Sequence, residues 1–301
     1  MRKLMLAAIA AVAVLGSGPA AWAADQAVQV KAGGLALNGT LALAGGKAVK
    51  DGVVLITHGT LAHNGMEIIK AMQAGLAERG LSSLAITLGL GLDNRSGMYD
   101  CAVPHRHKHT DSLDEIGAWL GWLKGQGASK VALLGHSRGG AQTALFAAER
   151  PDPVVTKVVL LAPMTYDEKA EAAGYQARYG KPLAGPLAKA AALVKAGKGA
   201  EMMTDTGFIY CPGATASAAS FVSYYQPDPR LGVVAPLARI KVPTLVIAAA
   251  NDEVVKGLPE AVAPLADGKR VKLVTVPNAD HFFLDLAADD AADAIKAFVA
   301  E

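Results

Sequence analysis

The chain has 301 residues, 52% of them hydrophobic and 19% charged, with a formal net charge of +2. That is enough length and apolar content for one large α/β domain. The near balance of charge excludes a polyanion-binding stripe and with it nucleic acid as a partner, because basic and acidic residues become equal in number once Arg2 and Lys3 are set aside.

Residues 1–23 read as a secretory leader: Arg2 and Lys3 open it, residues 4–15 are apolar, and Ala21-Trp22-Ala23 is a small-x-small cleavage site. The apolar run is too short for a comfortable membrane span, so the expectation is a periplasmic or secreted protein with no stable membrane anchor after cleavage, against the alternative of a retained N-terminal anchor. Residues 28–30 and 35–43 alternate like a short antiparallel hairpin turning at Gly33-Gly34. Val53 to Ile56 is a buried-strand run ending at Thr57-His58-Gly59-Thr60. A helix is predicted over 66–79, with Ile68, Ile69, Met72 and Leu76 at helical spacing, and a strand over 84–86. Residues 88–110 are irregular and polar, longer than the roughly 12–15 residues usual for a connection, and the stretch is expected to overhang a site.

A helix over 112–124 leads to VALLGHSRGG at 131–140. Here a β-branched and leucine-rich run turns into the helix-forming stretch 141–149 within a few residues. Gly135 and Gly139 bracket Ser137 at G-x-S-x-G spacing. In that strand-to-helix setting the missing Cβ atoms let the two elements approach while the serine sits in a strained turn with its Oγ exposed. The amides at the start of the following helix are placed to stabilise a developing oxyanion. A further buried strand is predicted over 154–161. Residues 165–240 break the rhythm, with helical patches at 187–194 and 216–225, and read as a helical lid inserted into the parent domain. The alternation then resumes with a strand at 244–248, a helix at 258–266, a strand at 271–276 and an amphipathic helix at 284–299. Such alternation implies a mainly parallel sheet flanked by helices, an α/β fold over residues 24–301.

A serine hydroxyl needs a base to take its proton, and the base needs a third group to orient it. Asp252 and His281 each follow a predicted strand by a short turn, and the carboxyl ends of parallel strands are where such residues converge. With HGT at 58–60, GHSRG at 135–139, NDEVV at 251–255 and DHFF at 280–283, the sequence resembles the α/β-hydrolase superfamily over nearly its whole length. The resemblance implies Ser137 as nucleophile, His281 as base and Asp252 as its orienting acid. It also implies backbone N–H donors at Thr60 and Arg138 for the oxyanion, each worth roughly 3–4 kcal/mol of barrier. The substrate class implied is a small ester-like molecule, with no cofactor and no metal.

Alternatives at individual positions are Glu253 or Asp280 as the acid and Leu61 in place of Thr60 as donor. His58, with Gly59, reads as a structural brace of the oxyanion loop, and Arg138 as either a binder of an acidic substrate group or a solvated helix-start arginine. At the level of the whole chain, the alternatives are a peptidase, thioesterase or lipase on the same scaffold, or a non-catalytic binding protein. Cys101 and Cys211, the two cysteines of an exported chain, suggest one disulfide, against the alternative of two separate thiols. His105, His107 and His109 alternate, so an extended backbone would put them on one face. Either they hold a metal or, the favoured reading, they are titratable surface histidines of a polar loop. Asp93, Arg95, Tyr99 and Asp100 are candidates for a substrate gate, and Tyr210, Tyr224 and Tyr225 for an aromatic wall under the lid.

Overall fold

Hydrophobic runs that point to both faces of a sheet demand a layer of helices on each side, and the computed structural model, which describes residues 25–301, has that construction. The strands and helices of the body are, in chain order, β1 (Gln26–Ala32), β2 (Leu35–Ala42), β3 (Val53–Thr57), α1 (Glu67–Glu78), β4 (Ser82–Ile86), α2 (Asp111–Gly125), β5 (Val131–His136), α3 (Arg138–Glu149) and β6 (Val155–Leu161). The stretch that interrupts the alternation contains α4 (Glu168–Tyr179), α5 (Ala184–Lys195), β7 (Met202–Phe208), β8 (Cys211–Ser217), α6 (Ala218–Tyr225) and α7 (Val234–Leu237). The body closes with β9 (Thr244–Ala249), α8 (Leu258–Val262), β10 (Val271–Val276) and α9 (Leu286–Ala300). The predicted leader, 1–23, lies outside the described residues.

Eight strands form one sheet in the order β1-β2-β4-β3-β5-β6-β9-β10. The β1–β2 hairpin is antiparallel and joins β4 antiparallel, and every pair from β4 to β10 is parallel. Side chains alternate between two cores: Val53, Leu55, Leu133 and Leu160 face α2 and α3, while Val54, Ile56, Leu134 and Leu161 face α1 and α9. From β3 the chain moves to β4 on one side and then returns to β5 on the other. The carboxyl ends of β3 and β5 therefore diverge into a crevice, which is where open α/β sheets place their sites.

The insertion between β6 and β9 is not purely helical. β7 and β8 pair antiparallel within it, and α4 is a helix that the sequence reading left out. Its inner side is aromatic: Tyr175, Phe208, Phe221, Tyr224 and Tyr225 are all buried in contact with one another. Cys101 and Cys211 are joined by a disulfide, with Cα atoms 5.3 Å apart, which ties the 88–110 loop to the first residue of β8.

The histidine run is buried, which corrects the expectation of surface histidines. His105 extends the inserted sheet by one bridge, its N–H donating to the Thr215 carbonyl at 2.8 Å and its carbonyl accepting from Ser217 at 2.9 Å. Its ring Nδ1 is hydrogen-bonded to His107 Nε2 at 3.2 Å, and His107 Nδ1 to the Tyr224 hydroxyl at 2.8 Å. Tyr99 stacks on His105, and His109 packs edge-on against Tyr224. Among the described residues, no group of three or more His, Cys, Asp and Glu side chains is arranged to hold a metal ion.

Burial holds these imidazoles neutral, lowering His105 to about 4 and His107 and His109 to about 3. Buried His58 and His136, lowered to about 3 and about 4, act in the same direction. In the unfolded chain each titrates near 6.5. Between that value and 3–4 the unfolded state binds protons that the folded state refuses, so stability is full above about pH 6.5 and drains as the pH falls toward 4. Among the described residues Glu115 on α2, which burial pushes up to about 7, opposes this trend. We therefore expect Tm at pH 5 to lie at least about 5 °C below Tm at pH 7. Calorimetry across that range checks it, and an unchanged Tm contradicts it.

Candidate active site

The turn from β5 into α3 requires two residues without side chains. A Cβ on Gly135 would overlap the Gly139 carbonyl oxygen, and a Cβ on Gly139 would overlap the carbonyl of His58 in the neighbouring loop. Ser137 between them adopts φ 55° and ψ −125°, a conformation that costs a non-glycine residue energy and is held here by its surroundings. Its N–H donates to the Leu161 carbonyl at 3.0 Å, and its own carbonyl accepts from Met164 at 3.0 Å, so the end of β6 fixes the turn from both sides.

His281 and Asp252, carried by the turns after β10 and β9, reach the same point. His281 Nε2 is 2.9 Å from Ser137 Oγ, and His281 Nδ1 is 2.8 Å from Asp252 Oδ2. The other carboxylate oxygen of Asp252 accepts from the amides of Val254 and Val255 at 2.8 and 2.7 Å. Burial alone would raise the Asp252 pKa. The hydrogen bonds from His281 and the two amides outweigh it and hold the carboxyl below its ordinary range. Neither alternative acid reaches the imidazole: Glu253 is exposed and pairs with Lys256, and Asp280 is exposed and accepts from the Phe282 amide. His136, which sequence reasoning passed over as a strand residue, is a positioning group. Its Nε2–H donates to the His281 carbonyl at 2.9 Å from within the core.

The loop after β3 brings Gly59 and Thr60 against the elbow. A Cβ on Gly59 would lie 3.2 Å from Ser137 Cβ. His58 is buried, and its Nε2 accepts the Leu88 amide at 3.0 Å, which assigns the ring proton to Nδ1 and directs it to the Gly59 carbonyl at 2.8 Å. Arg138 is half-buried at the start of α3. Its Nε donates to Thr60 Oγ1 at 3.1 Å, and its guanidinium lies 5.4 Å from the Tyr224 ring centroid, linking the Ser137 turn, the loop after β3 and the insertion.

The gate expected from Asp93, Arg95, Tyr99 and Asp100 does not form. Asp93 accepts from the Ala36 amide on the hairpin, Asp100 caps its own turn at Ala102, and Tyr99 is buried. Arg95 is an internal strut, 6% exposed. It donates to the carbonyls of Leu88, Gly97 and Ala62 at 2.7, 2.8 and 2.6 Å and contacts His58 Nε2 at 3.3 Å. Burial lowers its pKa to about 10, still charged at neutral pH, and the hydrogen bonds replace its lost hydration. An arginine that spends its donors on backbone carbonyls leaves no pattern in a sequence.

A cavity of about 300 Å³ opens onto Ser137 and His281. Its wall includes Gly59 and Thr60, and of the three tyrosines considered for an aromatic wall only Tyr210 reaches it. Tyr224 and Tyr225 are core residues.

The family model described as "Alpha/beta hydrolase family" matches residues 53–296. No curated protein matches the sequence. Among solved structures, Est1E from Butyrivibrio proteoclasticus is similar at TM-score 0.61 and 21% identity, covering 91% of this chain and 97% of that one. The Pyrococcus furiosus esterase Pf2001 is similar at TM-score 0.59 and 17% identity, covering 92% and 90%. A dienelactone hydrolase from Anabaena variabilis is similar at TM-score 0.55 and 20% identity, covering 92% and 96%.

Replacing the strut tests how the loop after β3 is held. Arg95→Met leaves the carbonyls of Leu88, Gly97 and Ala62 without donors in a buried site, and the unfolding free energy is expected to fall by at least about 2 kcal/mol. Urea denaturation at pH 7 measures it. A variant of wild-type stability would remove Arg95 from this role.

Proposed function

We propose, from the premise that the chain belongs to the alpha/beta hydrolase family, that it is a serine hydrolase cleaving a carboxylic ester or related acyl bond through an acyl-enzyme intermediate. The observation that carries this reading is the continuous hydrogen-bonded chain from Ser137 to His281 to Asp252 at the wall of a cavity. Ser137 Oγ attacks the carbonyl carbon as its proton passes to His281 Nε2. Asp252 keeps the other ring proton on Nδ1 and stabilises the imidazolium that forms. The carbonyl oxygen, now an oxyanion, is held by the backbone N–H groups of Thr60 and Arg138. His281 returns the proton to the leaving oxygen, and the ester C–O bond breaks. Water, deprotonated by the same imidazole, then attacks the acyl carbon, and collapse of the second tetrahedral intermediate returns the proton to Ser137 and frees the acid. The chemistry asks nothing of a cofactor.

The same reading places the protein outside the cytoplasm, in the periplasm or medium. The leader-like residues 1–23 support this, as does the Cys101–Cys211 disulfide, a bond that persists in oxidising compartments. No helix among the described residues is long and apolar enough to cross a membrane.

Short-chain nitrophenyl esters and a serine-reactive phosphonate test the assignment together. Wild type turns the esters over and is labelled once. Ser137→Ala loses both, and Asp252→Asn lowers kcat by about 10⁴-fold through the wrong tautomer of His281. Labelling that survives in Ser137→Ala overturns the role of Ser137.

A further inference from the structure

The cavity beside Ser137 has a chemistry that says what enters it. Its floor is Ile68 and Ile69 from the start of α1, both buried, beside Ala62 and Met66. Among the described residues no lysine, arginine, aspartate or glutamate lines it, and its polar members are the serine, Thr60, the Tyr210 hydroxyl and imidazoles. A carboxylate or ammonium group drawn into such a wall loses hydration and finds no counter-charge.

The mouth is formed by Met98, Tyr210, Val254 and Phe282, which are 55, 50, 50 and 43% exposed. Among the described residues these are four of the seven large apolar side chains that are more than about a third exposed to water. Isolated exposed apolar residues need no explanation, but a majority gathered around one opening does.

Two of the four belong to segments that the fold pins together. Met98 lies three positions before Cys101 in the 88–110 loop, and Tyr210 is the neighbour of Cys211 in the turn between β7 and β8. The disulfide joins those segments. Each is also held from its own side: the Tyr99 amide donates to the Leu61 carbonyl at 2.9 Å, and the Tyr210 amide donates to the Tyr179 hydroxyl at 2.8 Å. The Arg178 guanidinium lies 4.2 Å from the Tyr210 ring centroid, on the insertion.

We propose that this cavity binds the uncharged, apolar acyl group of an ester, and that Met98 and Tyr210 form a specificity-determining lip held in register by the Cys101–Cys211 disulfide. The proposal rests on the serine hydrolase reading and goes beyond it by fixing the substrate class. A cavity of about 300 Å³ is at the small end of ligand sites, suited to an acyl group of several carbons and not to a large lipid.

The test compares three nitrophenyl esters on the full enzyme: acetate, hexanoate, and the monoester of adipate, which has the six-carbon length of hexanoate but ends in a carboxylate. We expect kcat/KM for hexanoate to exceed that for the adipate monoester by at least about 100-fold, chiefly through KM. In Met98→Ser and Tyr210→Ser the hexanoate-to-acetate ratio of kcat/KM falls about tenfold, the scale of lost apolar contact in a pocket. Reduction of the wild-type disulfide with a phosphine lowers the same ratio, and Cys101→Ser reproduces it.

Equal turnover of hexanoate and the adipate monoester overturns the apolar acyl site. Unchanged ratios in both lip variants overturn the lip. Unchanged selectivity on reduction overturns the role of the disulfide. Each of these failures leaves phosphonate labelling of Ser137 intact. Absence of labelling together with absence of turnover defeats the hydrolase reading itself and this inference with it.

Discussion

The close approach of the loop after β3 to the first turn of α3 governs the rest of the molecule, because the His58 carbonyl occupies the space where a side chain at position 139 would stand. Neighbouring parallel strands lie roughly 4.8 Å apart, so the segments leaving β3 and β5 start in contact. Only backbone and the smallest residues allow them to stay there while turning in different directions. The contact places Gly59 against Ser137 and Thr60 against the Arg138 side chain at the start of α3. β9 and β10 then extend the sheet on the β6 side, and their end turns bring a carboxylate and an imidazole into line with the same hydroxyl.

Around this contact the protein uses burial in two different ways. Imidazoles at 58, 105, 107 and 136 are taken out of water and kept neutral, so they act as fixed hydrogen-bonding pieces and do not switch with modest changes of pH. Arg95 is buried with its charge, surrounded by carbonyl oxygens that stand in for water. It gathers the ends of two loops, at Leu88 and Gly97 on one side and Ala62 on the other, around the imidazole that fixes the carbonyl of Gly59. Arg138 does something similar in a more open place, with Thr60 on one side and the Tyr224 ring on the other.

The parts of the molecule readable from sequence are those whose signal is local. The apolar runs of β3, β5, β6 and β9, the helical spacing of Ile68, Ile69, Met72 and Leu76, and the glycine bracket around Ser137 each lie within a dozen residues. The short turns that carry Asp252 and His281 follow equally plain strands. What escaped depends on distant partners. α4 buries only Tyr175 and so has no apolar stripe to announce it. β8, CPGATAS, contains proline, glycine and small residues that argue against a strand, and pairs because β7 and His105 supply its neighbours. His105 and His107 look like surface polar residues until Phe208 and Tyr224, about a hundred positions later, close over them.

The insertion leaves the sheet at the end of β6 and re-enters at the start of β9, and those two strands are direct neighbours in parallel register. It is thus an enlarged version of the ordinary crossover that any such pair requires. The sheet geometry asks only that the ends meet, whatever is strung between them. The stretch between β6 and β9 is nonetheless fastened to the body at its middle as well as at its ends, through the Cys101–Cys211 disulfide and the Arg138–Tyr224 contact, so it is not a free-hanging loop.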